Sequence, residues 1–182
     1  MEILTPMRSA LHRLLLRLLP CLLMTAAAPS ARAATDAELR AAVIYNIARF
    51  VEWPADADTH FAICTVGDNT VSDALAGLAG KTLDGLAVSV RPVHRDRDLD
   101  GCRVLYITPD DAVRLAAISQ LLTKRSAATL TISDAPSFLA LGGMVQLLVV
   151  SERLRFRINQ DLAEASHLHV NAKLLQLALP DS

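Results

Sequence analysis

The first periodic segment of the chain runs from about Asp36 to Val51. On a helical wheel Leu39, Val43, Ile47 and Phe50 share one stripe, Ile44 and Val51 widen it, and Trp53 extends it. Thr35 or Asp36 is placed to cap the start. Pro54 stops the helix, because the residue before a proline disfavours helical backbone. The pattern then changes character. "HFAICTV" (60–66), "GLAVSVRPV" (85–93), "CRVLYIT" (102–108) and "AATLTIS" (127–133) are strand-length apolar runs, as in strands covered on both faces. Helical segments alternate with them. "NTVSDALAGLA" ends at Gly80. Pro109 to Thr123 is amphipathic and opens with "PDD", where acidic groups favour the helix dipole. "DAPSFLALGG" reads as a short helix closed by a glycine pair.

The last part differs. "MVQLLVV" and "RLRFRIN" flank "SE" and predict a hairpin. In "RLRFRI" the alternation places Leu154, Phe156 and Ile158 on the core face and Arg153, Arg155 and Arg157 outward. "DLAEASHL" and "VNAKLLQLAL" predict two closing helices. Strands alternating with helices argue for an α/β fold: a mostly parallel sheet with helices on both faces and a C-terminal antiparallel hairpin at its edge.

The amino-terminal residues do not share this pattern. Arg8, Arg13 and Arg17 precede the apolar run "LLPCLLMTAAA", and Ala31-Arg32-Ala33 fits a signal-peptidase site. Residues 1–33 therefore read as a secretory signal peptide, and residues 34–182 as a single exported domain. The apolar run is short for a membrane span. Pro20 before Cys21 argues against a lipidation signal. Residues 1–33 hold four of the 18 basic and one of the 19 acidic side chains, so the remainder carries a net charge of −4. That balance excludes nucleic acid and anionic membrane as favoured partners.

Export also changes the reading of the cysteines. Cys64 and Cys102 remain beyond residue 33, and an exported chain with two cysteines most often pairs them. Two free thiols are the alternative.

Candidate chemistry is sparse. "GKT" at Gly80–Thr82 lacks the earlier glycine of a phosphate loop and follows a helix instead of a strand. "HRD" at His94–Asp96 lacks the later residues of a kinase loop. His167 and His169 have no carboxylate or cysteine beside them in sequence, so no metal site is expected. No Gly-x-Ser-x-Gly elbow occurs. The chain is expected to be no enzyme and to need no cofactor. Gly67-Asp68-Asn69 lies where a strand passes into a helix, the place where open α/β sheets often bind ligands. A small-ligand module acting there is the alternative function; a turn with a helix cap is the plain reading. The three arginines of "RLRFRI" read either as a solvated edge or as a docking face for an acidic partner.

Three of the seven aromatic residues fall within "YNIARFVEWP" (45–54), the only Trp among them. Tyr45 lies off the predicted apolar stripe, near Arg49 and Glu52. It is either an interface anchor or a ring resting on a neighbouring element.

Together these segments resemble one family. "AAVIYNIARFVEWP" is similar to its opening helix, "FAICTVGD" to its first strand, and "LAGKTLDGLAVSV" and "LDGCRVLYI" to its next two strands. "TLTISDAPSFLALGGMVQLLVV" and "LRFRINQDLAEASHLHVNAKLLQLA" are similar to its ending. This is the YfiR family of exported bacterial proteins, which includes HmsC, and the resemblance covers about residues 37–179. It departs at Ile47, Gln146, Arg157 and Asn171-Ala172. The resemblance implies a periplasmic repressor that binds the periplasmic sensor domain of an inner-membrane diguanylate cyclase. It would thereby lower cyclic di-GMP and biofilm formation. Tyr45, Arg49, Glu52 and Trp53 are the candidate contact residues. An outer-membrane lipoprotein with a peptidoglycan-binding domain is the implied antagonist, and a homodimer is a further expectation.

Overall fold

The computed structural model describes residues 34–54 and 59–180. The signal peptide expected over 1–33 lies outside the described residues. Helix α1 (Asp36–Ala48) opens on Thr35, whose hydroxyl accepts from Glu38 N–H while the Glu38 carboxylate accepts from Thr35 N–H. This reciprocal cap satisfies two otherwise orphaned amides. The helix ends three residues before the predicted Val51. Val51 and Glu52 instead form a short strand β1 (Val51–Glu52).

The other elements follow as β2 (His60–Val66), α2 (Thr70–Ala76), β3 (Thr82–Leu83), β4 (Leu86–Pro92) and β5 (Cys102–Ile107). A 3₁₀ segment, Pro109–Arg114, leads into α3 (Leu115–Lys124), where one continuous helix was predicted. Then come β6 (Leu130–Ser133), β7 (Val145–Val150), β8 (Arg153–Ile158), α4 (Gln160–Ala165), β9 (His169–Val170) and α5 (Ala172–Leu177). The short helix expected in "DAPSFLALGG" is replaced by a series of turns. Ser137 takes a left-handed φ of 58°, which breaks a helix. The ring of buried Phe138 fills the space that a side chain at Gly143 would need.

Seven strands form one sheet in the order β3-β4-β2-β5-β6-β7-β8. The five from β4 to β7 are parallel, and β3 and β8 are antiparallel edges. Counted in chain order, the parallel strands lie side by side as 2-1-3-4-5, so the topology reverses between β2 and β5. Alternate residues of β2 enter two different cores. Phe61 and Ile63 pack with α1, α2, α4 and α5 on one face; Cys64 and Val66 pack with α3 and Phe138 on the other. Coverage of both faces explains why these strands read as continuous apolar runs.

One sequence expectation about α1 is corrected. Leu39 and Phe50 are 46% and 38% exposed, while Ala41, Ile44, Ile47 and Ala48 are buried. Two of these four buried residues are alanines, which let the helix axis approach the sheet closely. Val43 is half-buried against that core.

Candidate functional site

The end of α1 is held at two separated points. Tyr45 is half-buried, and its hydroxyl donates to the Thr82 carbonyl at 2.6 Å, with Lys81 Nζ 5.8 Å from the ring centre. Trp53 is also half-buried. Its indole N–H donates to the Arg103 carbonyl at 3.3 Å, and its ring meets Phe61 edge-on at 5.0 Å. Thr82 belongs to β3 and Arg103 to β5, with β4 and β2 between them, so the two anchors reach different parts of the sheet. Between these anchors the chain shows Arg49, Phe50 and Glu52 to solvent. Strand β1 pairs with β9, Val51 opposite Val170 and Glu52 opposite His169, and Asn171 N–H donates to the Phe50 carbonyl. The backbone beneath these side chains is thus fixed to the last segment of the fold. Two-residue strands carry no periodicity, so neither β1 nor β9 was predicted.

The carboxyl ends of β2, β5 and β6 hold a second cluster that sequence reasoning missed. Tyr106 on β5 is buried. Its hydroxyl donates to Asp134 Oδ1 at 2.8 Å and accepts from Asn69 Nδ2 at 3.1 Å. Asp134 also pairs with the Arg40 guanidinium from α1 at 3.4 Å, and Arg40 reaches on to Asp36. Burial pushes the Tyr106 hydroxyl far above its ordinary range, and the Asp134 charge adds to that. Tyr106 therefore stays neutral and serves as a hydrogen-bond relay.

This cluster also occupies the Gly67-Asp68-Asn69 turn. Asn69 Oδ1 accepts from Val71 N–H and Ser72 N–H at 3.0 and 2.9 Å, taking up the amides that an anion would use. Gly67 adopts φ +81°, and a side chain there would lie 2.1 Å from Asp111 Oδ2 and 2.4 Å from Thr108 Oγ1. Those two side chains lie against Gly67, where the topology reverses. Asp68 alone of the three faces solvent.

Cys64 and Cys102 form a disulfide that ties β2 to the start of β5. Among the described residues no group of three or more His, Cys, Asp or Glu could hold a metal ion. Nor is any helix there long and apolar enough to cross a membrane.

These features define an open, doubly wound α/β domain whose first helix is stitched to its carboxyl-terminal segment. The chain belongs to the YfiR/HmsC-like family, whose sequence profile matches residues 37–179. Its fold is similar to the crystal structure of a conserved domain protein from Vibrio cholerae O1 biovar El Tor. That likeness has a TM-score of 0.50 at 16% identity and covers 79% of this chain and 59% of that one. This chain thus spans under two thirds of that protein's length, and at such identity the likeness is one of fold. No functionally curated protein gives a match.

Proposed function

We propose that this protein is a periplasmic regulator that binds the periplasmic domain of an inner-membrane diguanylate cyclase and holds it inactive. In doing so it lowers cyclic di-GMP and biofilm formation. The observation that carries this reading is the family match across residues 37–179. Membership of a regulatory rather than catalytic family suggests action on diguanylate cyclase signalling. A repressor of this kind works by preferring one conformation of its target, and the difference in affinity sets how far activity falls.

The proposed contact surface is the end of α1. Arg49 and Glu52 supply exposed charge, and Tyr45 and Trp53 supply half-buried aromatic support. A surface held at both ends loses little conformational freedom on binding. The lipoprotein antagonist and the homodimer have no residue here that argues for them, and the proposal does not include them.

Calorimetric titration of the purified protein with the purified periplasmic domain of its cognate cyclase tests this reading. Arg49→Glu, at an exposed position, should weaken binding at least tenfold, about 1.4 kcal/mol, without moving the melting temperature. Absence of binding by the native protein overturns the reading. Binding unchanged by both Arg49→Glu and Glu52→Lys overturns the surface alone. Tyr45→Ala is the less informative variant, because it also removes the bond to Thr82.

A further inference from the structure

At the amino ends of β6 and β7 lies a cleft of about 440 Å³, within the size range of small-molecule sites. It is bounded by three turns, each in left-handed backbone: Ser126 after α3 (φ 50°), Gly142 before β7 (φ 90°) and His167 after α4 (φ 62°). Ser126 and His167 hold that conformation against the steric preference of residues that carry a side chain. Strain of this kind gathers where a structure must hold a particular shape. Small residues on the two helices, Ala116 and Ala165 among them, leave the space between the turns open.

The floor is mixed. Leu122 and Met144 are buried and apolar, and between them lie the buried hydroxyls of Thr129 and Thr131. Thr129 donates to the Cys102 carbonyl at 2.7 Å. Thr131 accepts from Met144 N–H at 3.1 Å, but among the described residues nothing accepts its own proton, although it is only 2% exposed. A buried donor without an acceptor is costly, and an oxygen atom placed in the cleft would relieve it. Among the described residues no Asp, Glu, Lys or Arg lines the wall, and His167 is the one ionisable side chain there. A charged ligand group would be desolvated there with no counter-charge.

We propose that this cleft binds an uncharged amphiphile. Its compact apolar body rests on Leu122, Met144 and Leu162, and a carbonyl or hydroxyl oxygen accepts the Thr131 proton. The inference is independent of the regulatory reading above.

The probe is prodan, an uncharged naphthalene dye with a single ketone. The adjoining cleft, which shares Ser126, Ala127 and Thr129 with this one, is lined by Trp53, the only tryptophan. Bound prodan should therefore quench Trp53 emission by energy transfer, saturating at one dye per chain. Ala165→Phe, at an exposed helix end, should weaken binding at least tenfold with the melting temperature unchanged. Thr131→Val should weaken it several-fold and shift the dye's emission, while Thr131→Ser should restore both. Non-saturating uptake overturns the proposal, and so does equal affinity of the native protein and Ala165→Phe. A sulfonated naphthalene dye binding as tightly as prodan overturns the assignment of an uncharged ligand. If Ala165→Phe leaves prodan binding intact but releases the cyclase domain, the cleft is a protein contact and the proposal fails.

Discussion

At the carboxyl ends of the central strands, polar groups contact one another. Arg40, Asp134, Tyr106 and Asn69 form one chain of contacts, and Thr108 and Asp111 close over Gly67. At the amino ends these strands border two clefts, one containing a buried hydroxyl whose proton has no acceptor among the described residues. Open α/β sheets commonly bind ligands at the carboxyl ends, where the topology reverses. Here that crevice is spent on holding α1 to the sheet, while two clefts among the described residues open at the opposite end. Strand order locates a crevice, but side chains decide whether it is a site or a joint. The two ends are also secured differently: a hydrogen-bonded relay at one, and at the amino end of β5 the disulfide that joins Cys102, its first residue, to Cys64 past the middle of β2.

Removing that disulfide should have the largest effect. With both cysteines changed to alanine, the loss of a cross-link spanning 38 residues should cost about 4 kcal/mol. At this chain length that is a fall of roughly 8–16 °C in melting temperature. An unchanged thermal melt would mean that the amino end is held by packing alone.

Tyr106→Phe should come next. It deletes one hydroxyl and leaves Asp134 and Asn69 each short of a partner, a cost of about 2 kcal/mol. Urea denaturation would show a lower midpoint with an unchanged slope. A loss below about half a kcal/mol, within the spread of ordinary surface substitutions, would mean that the relay is slack and the contrast between the two ends is overdrawn.

The smallest effect concerns Asp98, in the loop leading to β5. Its carboxylate accepts from Arg95 N–H and His94 N–H at 2.8 and 3.0 Å, and these bonds, Arg95 first, hold its pKa below the ordinary 3.8. A lowered folded pKa adds stability that is fully present above the ordinary value. It is lost as pH falls through the folded value. Asp98→Asn should therefore lower stability slightly at neutral pH and flatten the small acid-side decline below pH 3.8, where the two proteins converge. Parallel acid titrations of the two proteins, followed by circular dichroism, would show it. Identical acid limbs would remove Asp98 from the account.

The parallel sheet was legible because strands buried on both faces leave unbroken apolar runs, such as "HFAICTV" and "CRVLYI", between helix-forming segments. The orientation of α1 was not. The helix carries two adjacent apolar stripes, and a helical wheel favours the bulkier one through Leu39 and Phe50. Close packing selects the one with Ala41 and Ala48. Strand β3 had a local signal that went unused: Asp84-Gly85, both at positive φ, make the two-residue turn that joins β3 to β4. The relay had none, since Arg40, Tyr106 and Asp134 meet only after β2, β5 and β6 lie side by side.

The regulatory claim is tested most directly by cyclic di-GMP in a strain that carries the cognate cyclase. Deleting the gene should raise cyclic di-GMP. Restoring the native protein should lower it again. Restoring Arg49→Glu, exported and folded, should leave it high. Cyclic di-GMP unchanged by the deletion would contradict the account.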